Sequence, residues 1–358
     1  MFNNTYRGKR VLVTGHTGFK GSWLALWLYK LGADVTGLAL PLNPDPNHFD
    51  LIGLKELIYH RVGDIRDLRT VQATFAAAQP EIVFHLAAQP IVRESYKDPK
   101  TTFDTNIGGT VNVLEAIRHC PSVKASVVVT SDKCYENKEW VWGYRENDPM
   151  GGHDPYSASK GAAEIVCAAY RRSFFDKNGR GPHHGFATAR AGNVIGGGDW
   201  AKDRIIPDCV RALSNGDPII IRNPHATRPW QHVLDPLSGY LFLVKRLLAD
   251  PDHFAGPWNF GPDENSQIRV LELVEKFVEA WGGGQIETPQ SENINPHEAH
   301  LLHLCRDKAI HELHWKPMLD SESAIDWTVG WYKAWHERKT DLREISIDQI
   351  NKFENNYR

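Results

Sequence analysis

The sequence predicts an α/β protein that combines a doubly wound parallel sheet with a smaller C-terminal lobe of mixed helices and strands. The first half of the chain alternates short β-branched or apolar runs with longer helical runs. Within this half, an apolar strand at 9–14 leads into a glycine-rich turn and then into an apolar helical run at 22–31. Beyond about residue 200 the alternation gives way to a mixed pattern, which indicates the second lobe.

Composition and charge argue against several classes of protein. The chain has 358 residues, of which 41% are hydrophobic and 24% charged, as in soluble globular proteins. A formal net charge of -3 gives no support for a nucleic-acid-binding surface. The 5 cysteines form no Cys-x-x-Cys pair, so we expect neither a disulfide framework nor a metal site. Because no apolar signal core or bilayer-spanning run is present, the sequence predicts a cytoplasmic protein without a membrane partner.

The glycine-rich turn has the features of a phosphate-binding loop. Gly15, Gly18 and Gly21 are spaced Gly-x-x-Gly-x-x-Gly between the first strand and the first helix. Glycines permit a tight turn and a close approach to a pyrophosphate, and a helix N-terminus offers free N–H groups and a positive dipole end. A plain tight turn is the alternative. The place of the turn at the start of a βαβ series favours a Rossmann-type dinucleotide site.

The second strand, at 34–40, gives an incomplete signal for the choice between NAD and NADP. An acid at the end of this strand would hold the adenosine ribose of NAD, whereas an Arg would receive the 2′-phosphate of NADP. The strand runs instead into a proline-rich segment in which Asp45 stands late. The sequence therefore leans to NAD, with ribose contacts that we expect to be unusual.

The third and fourth strands add candidate cofactor contacts near their C-terminal ends. The third, at 60–67, carries Asp64, which could accept a hydrogen bond from the adenine amino group or could instead cap the following helix. The fourth, at 81–89, ends in small residues that include Ala87 and Ala88. Small side chains there leave room for a dinucleotide that lies across the strand ends.

The residues that can carry chemistry follow the next strand and open a later helix. Ser131, Asp132 and Lys133 end a β-branched run, at the strand end where open α/β sheets bind their ligands. Tyr156 and Lys160 are four residues apart, so they share one helix face. A Lys ammonium there can lower the pKa of the phenol and favour a phenolate base. The alternatives are solvated charges at a turn and an ordinary surface pair.

Four motifs, taken in order, resemble the extended short-chain dehydrogenase/reductase family, in its nucleotide-sugar branch. They are Val-Thr-Gly-x-x-Gly-Phe-x-Gly at 13–21, Leu-Ala-Ala at 86–88, Asn-x-x-Gly-Thr at 106–110 and Tyr-x-x-x-Lys at 156–160. The resemblance runs from about residue 9 to about residue 335.

Within that branch, the segments at 15–24, 130–135 and 192–200 are similar to the 4,6-dehydratases that act on CDP-glucose. Sister dehydratases for dTDP- or GDP-sugars carry Glu where this chain has Lys133. The CDP-glucose enzymes agree with this chain in that position. CDP-glucose is therefore the small-molecule substrate that the resemblance implies.

The resemblance implies an internal oxidation and reduction of the sugar, with NAD as cofactor. Tyr156, held as a phenolate by Lys160, would take the 4-hydroxyl proton while C4 gives up a hydride. Lys133 would remove the C5 proton, Asp132 would protonate the leaving 6-hydroxyl, and Ser131 would bond the 4-oxygen. For Lys133 the alternative is a surface lysine. The implied cofactor-binding residues are Gly15, Thr17, Gly18, Phe19, Gly21, Asp64, Ile65, Leu86, Ala87, Ala88, Thr130, Tyr156 and Lys160.

Arginines in the C-terminal part are candidates to hold the substrate. Arg204, Arg222 and Arg228 could neutralise its pyrophosphate, because Arg offers a planar bidentate fork. Each of them alone would be an ordinary surface arginine. Arg228 matches the family best, and Arg222 is a possible neighbour. The remaining predicted substrate contacts are Arg93 and Asn193.

We expect one continuous molecule with interleaved parts. Residues 1–190 would form the NAD-binding Rossmann domain, with later strands from about 190–240 and 257–261 returning to it. Residues 191–340 would form most of the substrate-binding lobe, and 341–358 a loosely packed polar tail. The family implies a homodimer or homotetramer that is built through helices beside the active-site helix.

Three alternative functions stay open. A nucleotide-sugar 4-epimerase would share Tyr156 and Lys160 but would not need the acid and the amine at 132–133. Another dehydratase would act on a dTDP- or GDP-sugar. No residue can be identified on physical grounds that would select cytosine over thymine in the nucleotide. A non-catalytic NAD-binding sensor would keep the glycine turn alone. The dehydratase would serve deoxy-sugar synthesis for bacterial surface polysaccharide, such as lipopolysaccharide O-antigen.

Overall fold

The computed structural model describes residues 1–42, 46–181, 183–263, 266–288, 301–338 and 340–357, so Asp45 lies outside the described residues. The strands are β1 Arg10–Thr14, β2 Asp34–Ala39, β3 Tyr59–Val62, β4 Ile82–His85, β5 Ala125–Val129, β6 Gly185–Arg190, β7 Val194–Ile195, β8 Ile219–Ile220, β9 Thr227–Pro229, β10 Gln231–His232, β11 Gly256–Asn259, β12 Gln267–Arg269 and β13 Ile286–Glu287.

The helices are α1 Phe19–Lys30, α2 His48–Leu51, α3 Leu68–Ala78, α4 Val92–Lys97, α5 Pro99–Phe103, α6 Thr110–Arg118, α7 Pro155–Tyr170, α8 Ile205–Asn215, α9 Leu234–Ala249, α10 Val270–Trp281, α11 Asp307–Leu313, α12 Ser321–Glu337 and α13 Leu342–Asn356. There are also 3₁₀ turns at Leu54–Glu56 and Asp132–Cys134, and π-helical turns at Asp104–Gly109 and Arg171–Phe175.

A parallel sheet forms the centre of the molecule. In the described part of the chain it has seven strands, in the order β11-β6-β5-β4-β1-β2-β3. The strands β4, β5 and β6 are buried along their whole length because helices cover both faces of the sheet. The strand order reverses between β1 and β4, which opens a crevice at their carboxyl ends. The predicted Rossmann-type doubly wound sheet is confirmed.

The smaller lobe is built mainly from the chain beyond residue 192. Two-stranded sheets pair β7 with β10, β9 with β12, and β8 with β13. Helices α8 and α10 pack against each other beside these strands. Between the lobe segments the chain returns to the main sheet, where α9 packs on β5 and β6 and β11 pairs with β6. Segments of the lobe therefore alternate along the chain with segments of the main sheet.

The expectation of a loosely packed C-terminal tail was wrong, because this segment forms the helix α13 on the outside of α1. Phe353 is fully buried and packs edge to face against Trp27, with the two ring centroids 5.7 Å apart. Glu354 accepts hydrogen bonds from the Trp27 indole at 2.8 Å and from the Lys30 amine at 2.6 Å. The few apolar residues of the segment recur at helical spacing, so a mostly polar composition still yields a packed helix.

Candidate active site

The glycine turn after β1 brings three backbone segments together. Gly15 has a φ of +75°, and a Cβ added to it would lie 2.7 Å from the backbone nitrogen of Ala87. A Cβ added to Gly21 would lie 2.1 Å from the carbonyl oxygen of Gly15. Glycine at both positions therefore lets the turn, the start of α1 and the residues after β4 approach this closely.

Gly18 lies at the open side of the same turn. It stands at the N-terminus of α1 without a side-chain cap, and a Cβ added to it would meet only the Gly15 carbonyl oxygen, at 3.3 Å. The first turn of α1 carries no acidic residue, so its N–H groups and positive dipole end can receive an anion. This arrangement fits the pyrophosphate of NAD.

Replacing Gly18 with Val is expected to abolish NAD binding and to leave the fold intact. An added Cβ would lie 3.3 Å from the Gly15 carbonyl oxygen, so the turn needs only a slight shift, and the rest of the side chain would occupy the open side of the turn that the pyrophosphate would approach. Calorimetric titration with NAD measures the effect, and circular dichroism checks the fold. Gly330→Val is the control, because Gly330 lies in α12, away from the glycine turn, and an added Cβ there meets nothing within 4 Å. Unchanged NAD affinity in the Gly18 variant would contradict this role of the turn.

The other predicted cofactor residues surround the glycine turn: Thr17 and Phe19 within it, Leu86, Ala87 and Ala88 after β4, and Thr130 after β5. Asp64 follows β3 and already has a partner, since Arg66 Nη2 lies 2.6 Å from its Oδ2. Burial acts to raise the pKa of Asp64, but the Arg66 hydrogen bonds hold it below its ordinary value. The adjacent Ile65 is buried against Gly109. An adenine contact by Asp64 would thus be shared with Arg66.

The candidate acid and amine stand in a short turn at the carboxyl end of β5. Ser131 caps this turn; its Oγ donates to Asp132 Oδ1 at 2.8 Å and accepts from the Lys133 backbone N–H at 3.2 Å. Asp132 is buried, and a Cβ added to Gly192 would lie 2.0 Å from its Oδ2. Gly192 therefore leaves the space that this carboxyl group occupies. The Lys133 side chain is partly buried.

Tyr156 and Lys160 lie one turn apart near the N-terminus of α7. The helix is capped by Asp154, whose Oδ1 accepts a hydrogen bond from the Ser157 N–H at 2.9 Å. Tyr156 is 8% exposed and Lys160 is 6% exposed. Lys160 Nζ lies 3.5 Å from the carbonyl oxygen of Val129, at the end of β5. Both side chains are thereby held beside the turn that carries the acid and the amine.

The pKa of Tyr156 is shifted in the direction opposite to the simplest expectation. Burial raises this pKa to about 12, although the hydroxyl of Ser131 and the charge of Arg204 act to lower it. Burial lowers the pKa of Lys160 to about 8. Near pH 7, Tyr156 is therefore a neutral phenol and Lys160 is mainly an ammonium. A phenolate requires further positive charge beside Tyr156.

Asn106 joins the loop after β4 to the helix that carries Tyr156. It lies in the π-helical turn Asp104–Gly109. Its Nδ2 donates to Ser159 Oγ at 2.8 Å and to the Gln89 carbonyl at 3.1 Å, and its Oδ1 accepts from the Gln89 N–H at 2.8 Å. Irregular π-helical turns often mark functional sites. The motif Asn-x-x-Gly-Thr was the sequence signal for this residue, but it did not reveal these partners.

A buried ion pair links the elements that carry the candidate catalytic residues. Arg190 Nη2 lies 2.8 Å from Glu164 Oε2, and their side chains are only 3% and 4% exposed. Glu164 also accepts hydrogen bonds from Thr130 and Thr188, so it ties α7 to β6 and to the end of β5. Removing one partner of such a pair costs roughly 3–5 kcal/mol, so the pair holds these elements in register. Sequence reasoning missed it because its members come from distant segments.

Arg204 is the predicted substrate arginine that reaches the catalytic pocket. It pairs with Asp199, with Nη1 2.8 Å from Oδ2, and its charge acts on the Tyr156 phenol. Asp199 is buried, and the Tyr332 hydroxyl donates to its backbone carbonyl at 2.5 Å. Asp199 was not among the predicted site residues; the glycine-rich run before it was the available signal.

The other predicted substrate residues lie in separate places. Arg93 and Arg222 both pair with Asp203, at 3.5 Å and 2.9 Å, so the structure brings these two together. Arg228 lies on β9 in the lobe, where its Nη1 donates to the carbonyl oxygen of its neighbour in the chain. Asn193 adopts a left-handed conformation, with a φ of +50°, between β6 and β7.

Within the described residues, no group of three or more His, Cys, Asp or Glu side chains is arranged to hold a metal ion. None of the helices within the described ranges is long and apolar enough to span a membrane. The thiols of Cys120, Cys134, Cys167, Cys209 and Cys305 are all free.

Comparison with known sequences extends these observations. Residues 11–255 match the model of the NAD dependent epimerase/dehydratase family. A CDP-glucose 4,6-dehydratase of Salmonella typhimurium is 51% identical over 348 residues, which cover 96% of this chain and 97% of that protein. A UDP-glucose 4-epimerase of Lacticaseibacillus casei is 27% identical over 91% of this chain and 96% of its own length.

Solved structures share the fold. The dTDP-glucose 4,6-dehydratase of Bacillus anthracis, in complex with NAD, has a TM-score of 0.75 at 22% identity and covers 91% of this chain and 97% of its own. The UDP-glucose 4-epimerase of Thermus thermophilus, also with NAD, has a TM-score of 0.75 at 23% identity, with coverage of 90% and 98%. The family model spans more than half of the sequence and includes the glycine turn and the helix with Tyr156 and Lys160, so this chain belongs to the NAD dependent epimerase/dehydratase family.

Proposed function

We propose that this protein catalyses the CDP-glucose 4,6-dehydratase reaction, which converts CDP-D-glucose to CDP-4-dehydro-6-deoxy-D-glucose and water. The observation that carries the proposal is the identity of 51% with the Salmonella enzyme over nearly the whole of both chains. The turn with Asp132 and Lys133 adds support, because Asp132 acts electrostatically on the Tyr156 phenol and Lys133 is the next residue of the same turn. A 4-epimerase has no use for this pair.

The first half of the proposed reaction oxidises C4 of the hexose. NAD, when bound, supplies a hydride acceptor and the positive charge of its oxidised nicotinamide ring. The Lys160 ammonium, one turn along α7, would favour the ionised form of Tyr156 against the effect of burial. The Tyr156 phenolate then takes the proton of the 4-hydroxyl, and the Ser131 hydroxyl turns from Asp132 to donate a hydrogen bond to the 4-oxygen.

The second half of the proposed reaction removes water from C5 and C6. The 4-ketone makes the C5 proton acidic, and the Lys133 amine takes that proton. The electron pair left at C5 forms the C5–C6 double bond as the C6–O bond breaks. A protonated Asp132 gives its proton to the departing oxygen, which leaves as water. A hydride returned to C6 and a proton returned to C5 would complete the product.

The arginines are proposed to hold the charged part of the substrate. Arg228 on β9 would bind the pyrophosphate, for which its planar fork is suited. Arg93 and Arg222 share the single carboxylate of Asp203, so this group keeps a net positive charge for the nucleotide. Arg204 would lie nearer the hexose, because its charge already acts on Tyr156.

A homodimer is proposed to form through α7 and its neighbour α5. The outer face of α7 presents Ala158, Ala162 and Ile165, and Ile165 is 62% exposed. Phe103 at the end of the adjacent α5 is 37% exposed. These apolar side chains at helical spacing suit a helix–helix interface with a second copy.

We expect Ile165→Glu to convert the dimer to a monomer, because the new carboxylate would lie unpaired in the interface. Light scattering measures the mass of the particle. Ile220→Glu is the control, since Ile220 is also exposed but lies on β8 in the lobe. A wild-type protein that is already a monomer at working concentration would contradict this interface.

The 4-keto-6-deoxy product is proposed to enter deoxy-sugar synthesis for bacterial surface polysaccharide, such as O-antigen, in the cytoplasm.

The function itself is tested by incubating the purified protein and NAD with CDP-glucose, and separately with dTDP- and GDP-sugars. Mass spectrometry should show loss of one water from CDP-glucose, without net formation of reduced cofactor. A sugar isomer of unchanged mass would instead identify an epimerase.

A further inference from the structure

The proposed mechanism leaves one amine of the catalytic centre without a role. Lys20 is the second residue of α1, between Gly18 and Gly21 of the glycine turn, and its side chain is partly buried. Within the described residues, its amine makes no hydrogen bond and no close ion pair. By contrast Lys30, at the other end of the same helix, is fixed by Glu354 at 2.6 Å. Lys30 therefore has a structural partner that Lys20 lacks.

The Lys20 amine interacts electrostatically with residues of the catalytic pocket. The charged groups that act on its amine are Arg204, Lys160, Asp132 and Asp199, which come from the loop before α8, from α7 and from the turn after β5. Burial lowers the pKa of Lys20 to about 8, and the two cations act in the same direction, whereas the two acids oppose them. The amine is therefore mainly an ammonium near pH 7.

Both acids among these neighbours are already engaged with other groups. Asp199 is paired with Arg204 at 2.8 Å, and Asp132 accepts the Ser131 hydroxyl at 2.8 Å. An ammonium among two further cations, with no close partner, is poised to interact with a polar or anionic ligand group. The cofactor pyrophosphate is one such group, but the neighbours named above are the catalytic residues.

We propose that Lys20 is a further catalytic residue, whose ammonium contacts the 6-oxygen of the hexose beside Asp132 and stabilises the negative charge that develops there as water leaves. This inference rests on the proposed dehydration. Asp132 transfers its proton to the 6-oxygen, the C6–O electron pair goes to that oxygen, and Lys133 receives the C5 proton. Lys20 remains an ammonium throughout, next to the carboxylate that is left on Asp132.

The test compares wild type, Lys20→Met and Lys20→Arg in deuterium oxide, with NAD and CDP-glucose. In the Met variant we expect water loss to slow about 100-fold, because one charge-stabilising donor is removed. C4 oxidation and deuterium exchange at C5 should continue, so reduced cofactor and a 4-keto hexose accumulate. The Arg variant keeps the charge and should recover part of the rate. NAD affinity should stay at the wild-type value.

Lys30→Met is the matched control, because it removes an amine from the same helix. This variant should lose water from the 4-keto hexose at the wild-type rate and should not accumulate that intermediate. Lys20→Gln serves as a second uncharged variant if the Met variant does not fold. Normal water loss in an uncharged variant would overturn the proposal. So would weaker NAD binding without accumulation of the intermediate, which would assign the amine to the cofactor pyrophosphate. A wild type that releases no water from CDP-glucose would overturn the proposed function, and this role with it.

Discussion

The Tyr156→Phe variant is expected to bind NAD normally and to turn over CDP-glucose about 1,000-fold more slowly than the wild type. Phe keeps the ring that fills the buried start of α7 and removes the hydroxyl that would take the 4-hydroxyl proton. Because C4 oxidation comes first, neither reduced cofactor nor product should accumulate. Absorbance of the reduced nicotinamide and mass spectrometry of the sugar nucleotide measure the two steps.

Tyr170→Phe provides the control for this experiment. Tyr170 lies at the other end of the same helix, and its hydroxyl donates to Glu115 at 2.7 Å. We expect that variant to keep wild-type turnover. Substantial turnover by Tyr156→Phe would contradict the assignment of the phenol as the base for the 4-hydroxyl.

The Lys133→Ala variant is expected to oxidise C4 but to stall before elimination, with product formation reduced about 1,000-fold. Without the amine, no group takes the C5 proton, so reduced cofactor should accumulate while C5 fails to exchange with deuterium oxide. This pattern separates Lys133 from Lys20, whose loss should permit C5 exchange. Nuclear magnetic resonance of the trapped sugar nucleotide reads the exchange directly.

Lys138→Ala is the control for Lys133. Lys138 lies in the following loop and pairs at the surface with Glu136, at 3.0 Å. Its removal should leave both half-reactions unchanged. Formation of the 4-keto-6-deoxy product at the normal rate by Lys133→Ala would reject Lys133 as the base.

The parts of the fold that depend on local pattern could be predicted from the sequence. The strand, glycine turn and helix around Gly15 are formed by consecutive residues, so their local pattern predicts them. The same holds for the helix that carries Tyr156 and Lys160. Parallel strands share one carboxyl edge, so the neighbourhood of Asp132 with the glycine turn follows once the strands are identified.

Features that depend on contacts between distant segments could not be predicted in this way. The Arg190–Glu164 pair joins β6 to α7, and no motif around either residue predicts that the two side chains meet. Lys20 reads locally as one residue of a phosphate-binding loop, and only the folded chain brings Asp132 and Arg204 near it. Helix α13 was missed because its polar composition outweighed the helical spacing of its few apolar residues.

The measurement that tests the central claim most directly uses CDP-glucose with deuterium at C4 of the hexose. An internal hydride cycle predicts a product that has lost one water and carries that deuterium at C6, with no net reduced cofactor. Deuterium that stays at C4 in a sugar of unchanged mass, or deuterium that is lost from the product, would contradict the account.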